Sequence, residues 1–220
     1  LLSPDTPDEA GYERTYLQGQ AHIRDALEPF SPRRVFWVSS TSVYGEGDGR
    51  WTDEDTPPDP TAFNGRILLE AEARARRDWP VTVVRLAGIY GEGRLRLLRW
   101  VESGRPVDPS AWSNRIHVTD AARLLAFLMT QHAQGRELAD TYIGVDDCPA
   151  LQAEVLDWLA ARLGLPPVPR TAAAGAPRRR LSNRRVHELG FEFRYPDYRA
   201  GYAALPAADE VFIALGTTIK

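Results

Sequence analysis

Lysine is all but missing from this sequence: the only one among 220 residues is Lys220, and every other basic residue is arginine. No site that needs a lysine ammonium can therefore form upstream of the last residue. Cysteine is as scarce, and the lone Cys148 excludes an internal disulfide and fits a reducing compartment such as the cytoplasm. No apolar run reaches the roughly 18 residues that a membrane-spanning helix needs. An excess of positive charge is lacking too. The 27 Lys and Arg against 30 Asp and Glu leave a formal charge of −3, which argues against a nucleic-acid partner, since that role needs a basic face. The acidic, proline-bearing start at residues 1–11 is no secretory signal. It has no initiator methionine, and the expectation is that a segment lies upstream.

Several chemistries find no support. His22, His117, His132 and His187 are scattered, with no His-Glu-x-x-His and no cysteine pair to hold a metal. No serine sits in a Gly-x-Ser-x-Gly elbow, and no glycine loop ends in Gly-Lys-Ser/Thr.

What is present has the composition of a globular protein. With 43% hydrophobic and 26% charged residues, the chain can bury a core in one domain, or one plus a small appendage. Helix-like and strand-like segments take turns. Thr6, Pro7 and Glu9 read as a capping box opening a helix with Tyr16, Ile23, Leu27 and Phe30 on one stripe, closed by Pro32. The run Val35-Phe36-Trp37-Val38 reads as a parallel strand covered on both faces. Residues 45–60 form a Gly- and Pro-bearing loop, followed by a helix over 62–77 and a second buried strand over 81–86. Further helices are expected at 94–103, at 120–131 with Thr119 as cap, and at 149–163 ending at Gly164, with a third strand at 141–145. Residues 166–180 read as a linker, and 211–215 as another buried strand before Gly216-Thr217-Thr218. Strands separated by helices in this way imply an α/β fold with a parallel sheet.

In open α/β sheets ligands lie beyond the carboxyl ends of the strands. Three polar clusters fall there: one at 39–45 after the first strand, one at 85–91 after the second, and Asp146-Asp147 after the third. Taken alone they are also ordinary turn chemistry. Together their wording carries a resemblance. Val38-Ser39-Ser40-Thr41-Ser42-Val43-Tyr44-Gly45 resembles the strand-end signature of the extended short-chain dehydrogenase/reductases, the NAD-dependent epimerase/dehydratase group that acts largely on nucleotide sugars. Arg85-Leu86-Ala87-Gly88-Ile89-Tyr90-Gly91 resembles the group's arginine-to-Tyr-Gly segment. Asn114-Arg115-Ile116-His117-Val118-Thr119-Asp120 resembles its His-Val-x-Asp element, and Leu189-Gly190-Phe191 its Leu-Gly-aromatic. Order and spacing agree over residues 1–205.

The resemblance implies a Rossmann-like parallel sheet flanked by helices, incomplete at the N-terminus, with a small C-terminal substrate-side region. In these terms residues 1–148 form a partial NAD(P)-binding core, 149–205 the substrate-side region and 206–220 an extra strand-like tail. It implies NAD or NADP as cofactor, a small-molecule substrate such as a nucleotide sugar, no membrane or nucleic-acid partner, and a homodimer. Ser40, four residues before Tyr44, matches the group's hydroxyl that hydrogen-bonds the substrate's reacting oxygen, with Thr41 beside it in a catalytic position. A strand-end cap is the alternative for Ser40. Ser39, Arg66 and Gly88 fall at cofactor positions, although Arg66 also reads as an exposed helical arginine. Tyr90, Asn114 and Arg115 fall on the substrate side, with salt bridging as the alternative for the last two. Arg178-Arg179-Arg180 and Arg184-Arg185 read as a solvated helical face.

Two departures limit the resemblance. The group's catalytic Tyr-x-x-x-Lys cannot exist here, and aligning Glu70 or Glu72 with the acid that usually follows it puts Ala62 and Arg66, or Asn64 and Leu68, in its place. Tyr44 and Tyr90 remain as substitute phenols, with buried packing the simpler reading. The group's Gly-rich pyrophosphate turn is also absent, since Gly88-Ile89-Tyr90-Gly91-Glu92-Gly93 has the wrong glycine spacing. Two functions follow: an epimerase/dehydratase-like oxidoreductase impaired in its chemistry, or a noncatalytic binding or sensor protein of the same fold.

Overall fold

A computed structural model describes residues 2–172 and 179–205. The expected strand at 211–215, the tail that contains it, and Arg178 lie outside the described residues.

The chain opens on α1, Glu9–Tyr12, and passes through a π-helical stretch, Glu13–Gln18, into α2, Gly19–Leu27. The cap is Asp8, not Thr6. The Asp8 carboxylate accepts the Gly11 N–H at 2.7 Å, while the Thr6 hydroxyl donates to the same oxygen at 3.0 Å. Ile23 and Leu27 reach the core, but Phe30 falls beyond the last turn and is 66% exposed. Next come β1, Val35–Ser40, a 3₁₀ turn at Thr41–Val43, β2, Trp51–Thr52, and α3, Phe63–Asp78. They lead to β3, Val81–Leu86, β4, Gly88–Tyr90, α4, Arg96–Glu102, β5, Trp112–Ser113, and β6, Arg115–His117. Helix α5, Val118–Ala133, is capped by His117, whose Nδ1 accepts the Thr119 N–H at 3.2 Å, rather than by Thr119 itself. The remainder is β7, Thr141–Gly144, β8, Ala150–Leu151, α6, Gln152–Arg162, β9, Arg180–Leu181, α7, Arg184–Leu189, and α8, Tyr198–Ala203. Gly164 stops the α6 segment as its position promises, at φ +68°.

Strands β1, β3 and β7 form a parallel sheet in the order β1-β3-β7. Ser40 stands opposite Leu86, and Leu86 opposite Gly144, so the three strands end along one edge and bring the three polar clusters there. One face packs Trp37, Val81 and Val83 on Ala71 and Ala75 of α3; alanines let the helix approach closely. The other packs Val84, Leu86 and Tyr142 on Leu124 and Leu128 of α5. All six β3 residues are buried, as expected of a strand covered on both faces. For β1 that expectation is corrected. It is an edge strand among the described residues, and Val35, Phe36 and Val38 are only half-buried.

The opposite edge, β7, is closed by side chains. Glu54 accepts the Ile143 N–H at 2.8 Å, Arg185 donates to the Thr141 carbonyl at 3.2 Å, and Asn183 donates to the Val145 carbonyl at 3.2 Å. Paired in this way, the backbone cannot template another strand. Of the basic cluster expected on a solvated helical face, Arg184 does stand exposed on α7, whereas Arg179 and Arg180 precede that helix and are half-buried. Arg179 is extended and donates to the Tyr44 and Gly45 carbonyls at 3.1 and 2.7 Å, while Arg180 lies 5.2 Å from the rings of both Trp51 and Trp112.

Helix α3 begins against the turn after β1. A Cβ on Gly65 would press into the Ser42 carbonyl oxygen and stand 2.7 Å from Pro60 Cβ. Gly65→Ala is expected to cost about 1–3 kcal/mol through forced backbone shifts, read as a lower urea midpoint. An unchanged midpoint would show that the turn and helix are not locked together.

Candidate functional site

The residues after β1 turn inward. Ser40 Oγ accepts the Ser42 N–H at 3.2 Å and so caps the 3₁₀ turn. Ser39 and Thr41 are buried, and the Ser39 and Ser42 hydroxyls have no hydrogen-bond partner. An unpaired buried polar group costs about 1–3 kcal/mol, so these hydroxyls are the unused polar atoms of the strand end. Arg66 points elsewhere. Its guanidinium donates to the Thr61 carbonyl at 2.9 Å and lies 3.9 Å from the Glu9 carboxylate, on the exposed face of α3.

Gly88, Tyr90, Asn114 and Arg115, by contrast, line one cavity of about 460 Å³ just past the end of β3. The structure thus gathers the four residues after the second strand and before α5, and leaves Ser39, Ser40, Thr41 and Arg66 outside that cavity. Its rim carries Arg94, Arg96 and Arg99, all exposed and forming no ion pair with any described residue. Sequence reasoning passed these three over. Their signal is an arginine triplet within six residues of a glycine turn that follows a buried strand.

Below the cavity the bonding is tight. Arg115 is 2% exposed; its Nε donates to Ser113 Oγ at 3.3 Å, its terminal nitrogens reach the Ser113 and Cys148 carbonyls, and Tyr198 lies 5.1 Å from it. Asp146 Oδ2 stands 3.7 Å from Arg115 Nη1, too far for a hydrogen bond, and has no hydrogen-bond partner. Burial pushes the Asp146 carboxyl up to about 7, against the opposing pull of Arg115. Asn114 is committed on both sides. Its amide donates to the Arg179 carbonyl at 3.0 Å and accepts the Leu181 N–H at 3.0 Å, which pins β9 beside the site.

Neither phenol is at large. Tyr44 Oη accepts from Arg85 Nη1 at 2.8 Å, and Arg85 in turn pairs with the buried Glu72 at 2.6 Å. Tyr90 donates to the Asp197 carbonyl at 3.2 Å and stacks on Tyr202 at 4.6 Å. Burial raises the pKa of both phenols above the ordinary range. The His-Val-x-Asp element is a clamp: Asp120, fully buried, accepts the Arg194 and Tyr195 N–H groups at 2.9 and 2.8 Å and so holds the segment leading to α8. Burial lowers the pKa of His117, in keeping with its Nδ1 accepting the Thr119 N–H as the cap of α5.

Among the described residues no group of histidine, cysteine or acidic side chains could hold a metal ion, and no helix is long and apolar enough to cross a membrane.

A parallel sheet between helices, with its polar residues collected at the strand ends, defines a Rossmann-like fold. Over residues 5–144 the chain matches the NAD dependent epimerase/dehydratase family, and it belongs to that family. Protein YeeZ of Escherichia coli K12 is 31% identical over 193 residues, 83% of this chain and 66% of YeeZ. The chain thus spans just under two thirds of that relative's length. A protein of the NAD-dependent epimerase/dehydratase type from Methylobacillus flagellatus is 38% identical, with a TM-score of 0.78 over 89% of this chain and 71% of its own. UDP-glucuronic acid 4-epimerase from Bacillus cereus, solved with UDP-glucuronic acid and NAD, shares the fold at TM-score 0.77 and 16% identity, over 95% of this chain and 71% of its own.

Proposed function

We propose that this chain binds a small phosphate-bearing ligand of the nucleotide-sugar class in the arginine-rimmed cavity, and that its 220 residues do not by themselves perform hydride chemistry. The cavity carries the first half of this reading: three exposed arginines without acidic partners among the described residues surround a concave site at the strand ends, where guanidinium groups favour phosphate. The second half rests on the dyad positions. Leu68 is buried in the core, Arg66 faces Thr61 and Glu9, and the phenols of Tyr44 and Tyr90 are held by structural partners.

The residues fit a dinucleotide only in part. The orphan Ser39 and Ser42 hydroxyls suit the hydrogen-bonding end of a nicotinamide ribose, but among the described residues no glycine turn is offered to its pyrophosphate. When bound, such a cofactor supplies hydride transfer. The chain's own part is to bind and orient the substrate, and a noncatalytic binding or sensor role is the functional class these groups favour.

Titration with UDP-glucose tests the reading. Each charge-assisted hydrogen bond contributes roughly 1.5–3 kcal/mol, so changing Arg96 and Arg99 together to Glu is expected to weaken binding more than a hundredfold while melting temperature holds. Equal affinity of wild type and variant, or equal affinity for glucose and UDP-glucose, would remove the cavity from the proposal.

A further inference from the structure

The buried pair beneath the cavity is not a finished salt bridge. Arg115 lines the cavity floor, yet its carboxylate neighbour stands 3.7 Å away with Oδ2 unpartnered, and no other acid pairs with the guanidinium among the described residues. The bonds that hold Arg115 run to neutral oxygens of Ser113 and Cys148. A buried guanidinium with one loosely placed counter-ion is a cation that a second anion can share.

We propose that Arg115 is shared between Asp146 and an anionic ligand in the cavity, so that anion binding is coupled to uptake of a proton by Asp146. The inference rests on the cavity being the anion site. Two negative charges around one cation repel each other, and the one that can be neutralised is Asp146. Its surroundings agree. From its own loop it is faced by Asp147 and Cys148, whose N–H donates to Asp146 Oδ1 at 3.3 Å, from the start of α8 by Asp197, from β4 by Tyr90, from β6 by Arg115, and across an adjoining pocket by Asp53 and Arg184, themselves 3.9 Å apart. Arg115 and the Cys148 N–H favour a negative charge there; Asp147 and Asp197 oppose it, the Tyr90 phenol and the Cys148 thiol are neutral near pH 7, and the exposed Arg184 is paired with Asp53. The exposed Arg94, Arg96 and Arg99 face solvent at the rim and belong to the ligand side. Burial already holds the carboxyl near 7, and an anion nearby raises it further.

The sign follows from linkage. A ligand that raises a carboxyl pKa takes up protons on binding, and by reciprocity binds more tightly as pH falls through that pKa.

Calorimetric titration of the 220-residue chain with UDP-glucose, whose diphosphate diester carries no group that titrates between pH 6 and pH 8, reads this directly when it is run at pH 7 in buffers of differing ionisation enthalpy. The expected result is net uptake of protons by the protein at pH 7, with affinity several-fold higher at pH 6 than at pH 8. Asp146→Asn keeps the shape and removes the titrating group; it is expected to bind with no protein-linked uptake and no residual pH dependence. Wild-type binding without protein-linked uptake would sink the coupling and leave the cavity as an anion site. Uptake persisting unchanged in Asp146→Asn would assign it to another group and overturn the proposal. Absence of UDP-glucose binding at every pH would remove the anion site itself, and the coupling with it.

Discussion

Glu72→Ala is expected to be among the most damaging single substitutions in the sheet region. Glu72 and Arg85 are 1% and 4% exposed, and their bidentate contacts run at 3.1 and 2.6 Å, with Tyr44 completing the guanidinium's bonding at 2.8 Å. Removing the carboxylate leaves a charge buried between α3 and β3 with only a phenol for company. Breaking such a pair costs about 3–5 kcal/mol, which for a chain of this size lowers the melting temperature by about 10 °C. The same physics makes a second result specific. Glu72→Leu with Arg85→Met removes both charges and keeps the volume, and is expected to recover most of the loss, because the harm lies in the uncompensated charge. Thermal melts of the single and double variants decide it. If the double variant is no better than Glu72→Ala, the cost lies in lost shape, and the pair is not the lock it is taken for here.

This pair also shows how far the sequence could be read. Glu72 was found through an alignment with a catalytic motif, and Arg85 as the first residue of a strand-end phrase, yet nothing in one dimension says that they meet. The elements with strong patterns were legible: β3 is rich in β-branched residues and matches its expected bounds, and α3 and α6 differ by a few residues at their ends. The pairs β2 with β9 and β5 with β8 were not legible, because two-residue strands have no period and are held by contacts from far along the chain. The same holds for the basic cluster. A run of arginines has the composition of a solvated face, and only the loop folded over it makes Arg179 a half-buried donor to the Tyr44 and Gly45 carbonyls. The candidate site divides likewise. Tyr90, Asn114 and Arg115 belong to family-like motifs and share a cavity, whereas Arg94, Arg96 and Arg99 are close in sequence but match no such motif, and only the fold shows that they share the rim.

The 220-residue chain alone is expected to bind NAD and NADP at millimolar strength or weaker, and to transfer no measurable hydride with either. The family is NAD dependent, so the contrast is with what a complete dinucleotide site provides. In such a site a glycine turn lets backbone N–H groups meet the pyrophosphate, and a helix N-terminus faces its charge. Each of those charge-assisted bonds contributes roughly 1.5–3 kcal/mol, and 1.4 kcal/mol is tenfold, so losing two of them weakens binding by about 10²- to 10⁴-fold. What the described residues offer is the other end of the molecule: Ser39 and Ser42 hydroxyls without partners among those residues, and Gly88, exposed just after β3. Chemistry suffers separately. General acid and base groups contribute typically 10²- to 10⁴-fold, and here the only lysine is Lys220 while the two candidate substitute phenols, Tyr44 and Tyr90, are bonded to Arg85 and to the Asp197 carbonyl. The two losses can be told apart. Micromolar NAD binding on a verified monomer would refute the affinity argument whatever the turnover. Turnover with UDP-glucose and NAD that vanishes on changing Tyr44 or Tyr90 to Phe would refute the chemical one, and would identify the phenol that has taken over the proton.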